Sequence, residues 1–123
     1  MTAKSKLISE LQQDVLKIYR AYEKTGTNKW TYQTALIDLQ YQIGSLAKCA
    51  LQLRGDRFNE GKTASQLNAA MGDELADILA EALFIAHELG IDLSEAWENM
   101  LQSDKSKIAT RTLRDALRHR QAS

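Results

Sequence analysis

Glu74 and Asp77 stand three residues apart in the string Asp73-Glu74-Leu75-Ala76-Asp77-Ile78-Leu79. On a helix that spacing projects both carboxylates from one face, a single turn apart. Mg²⁺ prefers octahedral oxygen coordination and commonly takes one or two carboxylates, with water and substrate phosphates filling the remaining positions. Glu74-x-x-Asp77 supplies such a pair. Glu81 follows one turn further along the same side and Asp73 borders it, so four acids crowd one stretch of chain. Like charges at helical spacing repel by roughly a few tenths of a kcal/mol per pair. A bound cation relieves that repulsion, and so do basic residues on a packed helix. The same spacing is also common on helices that simply face solvent.

The distribution of charge around these acids is uneven although the total is not. Lys+Arg 16 against Asp+Glu 16 leaves a formal net charge of zero over 123 residues, which gives no basis for general binding to nucleic acid or to a membrane surface. Residues 1–55 hold 8 basic and 4 acidic residues, 56–98 hold 2 and 10, and 99–123 hold 6 and 2. An acidic middle between basic arms suits a divalent cation and the phosphates that accompany it, while charge runs also serve to solvate helix faces. The single cysteine, Cys49, excludes an intramolecular disulfide and suits a reducing compartment. No apolar run approaches the ~20 residues that span a bilayer, and Met1 to Ser9 lacks the apolar stretch of a signal peptide. The expectation is a soluble cytoplasmic protein with one domain over 1–123.

The elements that carry the acids are helical. Proline is absent and glycine numbers only 6, a composition poor in turn formers and permissive for long helices. Leu7, Leu11, Val15, Ile18, Tyr19 and Tyr22 recur at helical spacing and predict a first helix from about Ser5 to about Glu23, stopped by Thr25-Gly26-Thr27-Asn28. Leu36, Leu39, Ile43, Leu46, Ala47, Ala50 and Leu53 predict a second, ending at Gly55-Asp56, with Arg54 to Lys62 as a polar loop. Thr63 and Gln66 form a capping box for a third helix that carries the acids to about Leu89. Gly90 fits the left-handed position beyond its end, and Asp92 with Glu95 opens a fourth helix whose buried side is Leu93, Trp97, Met100 and Leu101. After Gln102-Ser103-Asp104, the weaker stripe of Ile108, Leu113, Ala116 and Leu117 marks either a fifth helix or a continuation of the fourth. The expected fold is therefore all-α, a bundle of four to five helices.

Asp73-Glu74-Leu75-Ala76-Asp77-Ile78-Leu79, followed by Gly90-Ile91-Asp92-Leu93-Ser94-Glu95-Ala96, resembles the MazG-like all-α nucleoside triphosphate pyrophosphohydrolase superfamily. The likeness covers roughly Leu36 to Arg111 and is stronger in its second half. It implies that Glu74 and Asp77 are metal-holding and catalytic, that Mg²⁺ or Mn²⁺ is the cofactor, and that a nucleoside triphosphate is cleaved to a monophosphate and pyrophosphate. The family's first acidic motif falls on Tyr41-Gln42-Ile43-Gly44-Ser45-Leu46-Ala47-Lys48, where Gln42 and Ser45 replace two glutamates. Gln and Ser offer neutral oxygens to a cation or substrate but no negative charge. Asp38, one turn before Gln42, and Glu81 are the acids placed to compensate. Activity is then expected to be weakened or lost, and the alternative is an inactive homologue that binds nucleotide or protein.

The resemblance also places Lys105, Lys107 and Arg111, in a basic arm at about 104–123, near substrate phosphates, for which arginine's planar donors are suited. Trp30, with Tyr32 at the entrance to the second helix, offers a ring for a base or for packing. Cys49 beside Leu46, Ala50 and Leu53 reads as a buried thiol. The broad apolar faces, and the family's habit of building sites in homodimers or homotetramers, lead to the expectation of a homo-oligomer.

Overall fold

The computed structural model describes residues 7–122. They form four helices and no strand: α1 (Ile8–Lys24), α2 (Tyr32–Arg54), α3 (Ala64–Glu88) and α4 (Leu93–Ala122). The start of the first helix expected at Ser5 lies outside the described residues. None of the helices is long and apolar enough to cross a membrane.

The helix ends follow local chemistry. Thr31 caps α2 by accepting from the Thr34 N–H at 3.2 Å, and Gly55 ends it in the left-handed conformation, φ 81°. At α3 both halves of the capping box form: Thr63 Oγ1 accepts from the Gln66 N–H at 3.1 Å, and Gln66 Oε1 accepts from the Thr63 N–H at 2.9 Å. At its other end Gly90 adopts φ 66°, and the Ile91 N–H reaches back to the Ala86 carbonyl at 2.8 Å. Asp92 Oδ1 accepts from the Glu95 N–H to open α4. That helix then runs without a break through Gln102-Ser103-Asp104, since no residue there is a strong helix breaker. The last stripe is thus a continuation and not a fifth helix.

The described residues fall into two compact units, divided between Ile91 and Asp92. In the first, α3 packs against both α2 and α1. Its core is Leu16, Ala35 and Phe84, with Val15, Tyr19, Trp30 and Ile85 packed around them. Tyr19 is held between two rings, Trp30 edge-on at 5.5 Å and Phe84 at 4.6 Å between centroids. Gln12 Nε2 donates to the Leu83 carbonyl at 3.0 Å, tying α1 to α3. The second unit is α4 alone, and no residue of it is buried. Trp97, expected on a buried stripe, is 52% exposed, because a single helix has no interior in which to bury an indole.

The face that α2 turns inward is not its most apolar one. Ala35, Cys49 and Gln52 are buried, and Asp38, Gln42 and Ser45 are half-buried between them. These positions recur at alternating intervals of three and four residues, which is one helix face. Leu36 and Ile43 of the expected apolar stripe lie instead on the exposed side, as do Leu75 and Leu79 of α3.

Phe84→Ala should lower unfolding free energy by about 3 kcal/mol or more, because it opens the cluster around Tyr19. Ile108→Ala, on an exposed position of α4, should change it by less than about 0.5 kcal/mol. Urea unfolding followed by circular dichroism distinguishes the two outcomes.

Candidate functional site

A cavity of about 540 Å³ opens among α1, α2 and α3, a size typical of small-molecule sites. Its walls differ in chemistry. Asp38 and Gln42 come from α2 and Asp77 and Glu81 from α3, on the inward faces that the helical period dictates. The α1 wall and the segment after it add Tyr19, Tyr22 and Trp30, with Thr27 and Asn28 near the turn. Asp14 and Glu23 on α1 also reach the wall. No lysine, arginine or histidine lines the cavity among the described residues.

Glu81 dominates the electrostatics. It is 3% exposed, and its Oε2 is buried without a hydrogen-bond partner. Burial pushes its carboxyl up to about 8, assisted by a hydrogen bond to Asp38 and by the negative charges of Asp38 and Asp77. The protonated Glu81 carboxyl donates to Asp38 and thereby avoids a second buried negative charge. Gln42 Nε2 donates to Asp38 Oδ2 at 3.2 Å, so Asp38 is held by two neighbours. The Tyr19 hydroxyl is raised well above the usual phenol range by burial, then by the charges of Glu81, Asp38 and Asp77, and stays protonated.

Of the residues singled out in the sequence, Asp77, Asp38, Glu81, Gln42 and Trp30 meet at this cavity. Glu74 and Ser45 are half-buried and do not line it, and Glu74 Oε2 is buried without a partner. Lys107 and Arg111 lie on α4, where they border a shallow groove with Ser103, Ser106, Thr110 and Arg114. Lys105 does not border that groove, since two residues of helix turn it by about 200° from Lys107. Sequence reasoning missed Asp14, Tyr22 and Glu23 as wall residues. Asp14 and Tyr22 are eight residues apart and share a face of α1 with Ile18, a mixed acidic and aromatic stripe that reads on its own as ordinary amphipathicity.

Among the described residues, no three His, Cys, Asp or Glu side chains converge closely enough to hold a metal ion together. The chain matches no known protein family, no characterised protein and no solved structure.

The Glu81 carboxyl makes folding pH-dependent. Its folded value lies above the unfolded one near 4.5, so its contribution is fully present below about pH 4.5 and is lost as pH rises through about 8. Wild type should lose denaturant resistance between pH 5 and 8.5, and Glu81→Gln should flatten that loss and be the more stable protein at pH 8.5. Equal slopes for the two proteins in urea titrations across this range would contradict the buried acid.

Proposed function

We propose that the α1–α3 cavity binds a nucleoside triphosphate as its Mg²⁺ or Mn²⁺ complex, and that the chain is a MazG-like pyrophosphohydrolase working with a reduced set of carboxylates. The observation that carries this reading is that Asp38, Gln42, Asp77 and Glu81, with its unpartnered oxygen, line one side of a cavity whose other side carries Tyr19, Tyr22 and Trp30. A nucleotide has the same two halves, a flat base and a cation-bound phosphate chain.

The donor set suits a hard cation that uses few protein ligands. Asp38 and Asp77 supply carboxylate oxygens, Gln42 a neutral amide oxygen, and water and phosphates would complete the shell. The cation's chemical contribution is to neutralise charge on the phosphate chain. The side chains contribute position. Gln42 orients the Asp38 carboxylate, Trp30 and Tyr22 give the base a face to stack on, and Tyr19, protonated throughout, is a hydrogen-bond donor at the wall.

The Gln42 to Asp38 hydrogen bond favours a second reading. With Asp38 engaged and Glu81 protonated near neutral pH, fewer carboxylates are available to activate a water. The chain would then retain nucleotide without cleaving it.

The outward stripes of α2 and α3 support a homodimer or homotetramer. Leu36 and Ile43 on α2, and Leu75 and Leu79 on α3, are between 44% and 55% exposed, and apolar helical stripes of this kind are normally covered.

Mn²⁺-dependent pyrophosphate release from deoxynucleoside triphosphates should be measurable and should fall at least about 100-fold in Asp77→Asn, since a group that positions the reacting phosphates is worth several kcal/mol. Nucleotide binding by calorimetry without release would support the second reading, and neither binding nor release would overturn both. By light scattering, the mass should be a multiple of 13.8 kDa, and Ile43→Glu with Leu79→Glu should return it to the single-chain value.

A further inference from the structure

We infer that the cavity among α1, α2 and α3 also accepts a linear organic polyamine, with one ammonium group at the Asp38–Asp77–Glu81 wall and the methylene chain along Tyr19, Tyr22 and Trp30. The inference concerns the same cavity but does not depend on nucleotide binding.

Charge is the first consideration. Glu23, Asp38, Asp77 and Glu81 bring carboxyl groups to the cavity wall from all three helices, and no lysine, arginine or histidine lines it among the described residues. An anion entering alone meets only repulsion, whereas a cation is attracted from every side. The Glu81 oxygen is the second, independent observation. A carboxyl 3% exposed, with Oε2 lacking any partner, leaves a buried acceptor unsatisfied, a condition that a ligand N–H repairs.

The spacing of the acids then selects a form of cation. No three of them converge on one point, as a compact ion coordinated by protein alone would require. They are instead spread around the cavity: Glu23 comes from α1, Asp38 from α2, and Asp77 and Glu81 from α3. Separated carboxylates suit a molecule whose positive charges are themselves separated by flexible apolar links. The aromatic wall suits those links and the charges alike. Methylenes pack on ring faces, and an ammonium near a Tyr or Trp face gains about 0.5–2 kcal/mol depending on its desolvation. A cavity of about 540 Å³ is far larger than a metal ion needs, and the polyamine makes use of its length. Because both ligands draw on Asp38 and Asp77, polyamine and metal–nucleotide complex must exclude one another.

The test is calorimetric titration of the full-length chain with spermidine at 0.15 M salt, without metal or nucleotide. Saturable one-site binding is expected, weakened at least about tenfold in Asp77→Asn and in Tyr22→Leu. Both positions are exposed, so the fold should tolerate the changes, and far-ultraviolet circular dichroism verifies this. Glu88→Gln, elsewhere on α3 and exposed, should bind as wild type does. No saturable binding, or equal binding by wild type and the two cavity variants, would overturn the inference and in the latter case assign the amine to general acidic surface. A parallel titration with a Mn²⁺ complex of a nonhydrolysable nucleotide separates the two readings. Spermidine binding without nucleotide binding removes only the nucleotide site, and the reverse result removes only the polyamine.

Discussion

Glu81 and Gln52 are the two buried polar side chains of the described residues, and only Glu81 can carry a charge. An isolated carboxylate at such a position costs several kcal/mol or more, so the group keeps its proton and shares it with Asp38. That one proton governs the inner surface of the three-helix unit. It lets α2 and α3 approach with acids on both facing sides and fixes the Asp38 carboxylate between Glu81 and the Gln42 amide, while burial, assisted by the neighbouring acids, keeps the Tyr19 hydroxyl protonated. The aromatic stack of Trp30, Tyr19 and Phe84 closes over the same region. Core and cavity therefore share Tyr19 and Trp30. A change that loosens the core at Phe84 also moves the cavity wall.

Polar residues facing inward leave apolar residues facing outward. Along α2 the side chains at 35, 38, 42, 45, 49 and 52 are covered, and these are Ala, Asp, Gln, Ser, Cys and Gln. Such a face contributes modest hydrophobic free energy for its area. The larger apolar side chains Leu36, Ile37, Tyr41 and Ile43 remain accessible. A helix pair arranged in this way leaves apolar surface uncovered, and the proposed homo-oligomer rests on that surface.

Local signals were legible in the sequence and the orientation of faces was not. Thr63 with Gln66, Gly55, Gly90 and Asp92 all act where their neighbours in the chain predict, because a cap needs only three or four residues of context. The run of α4 through residues 102–104 was ambiguous, since serine and aspartate are only mildly unfavourable inside a helix. The inward face of α2 was misread for a different reason. Period counting follows the larger apolar residues, and here those lie outside while small and polar ones lie within. Asp38 and Glu81 thus looked like secondary acids beside Glu74, yet they reach the cavity and Glu74 does not. Helical spacing puts Glu74 and Glu81 on similar faces, and only the packing of α1 against α3 decides which section of that face opens into a cavity.

The composition of the cavity constrains the order of events in any chemistry it hosts. With acids from all three helices and no lysine, arginine or histidine lining it among the described residues, its resting potential is negative, and a phosphate chain gains entry only when its charge is already compensated. A nucleotide brings that compensation as a bound metal ion; an amine carries it covalently. In both cases the aromatic wall supplies contact area with little dependence on charge, while the carboxylates decide which species is admitted. Gln42, at a position where the resembled family carries a glutamate, makes this filter less negative than a fully acidic wall would be. A less negative wall gives up affinity for a compact divalent ion sooner than for a ligand that spreads its charge over several carboxylates and adds apolar contact, because the ion gains nothing from the aromatic wall. On the proposed readings, the neutral amide of Gln42 therefore favours larger, amphipathic cations over a bare metal ion.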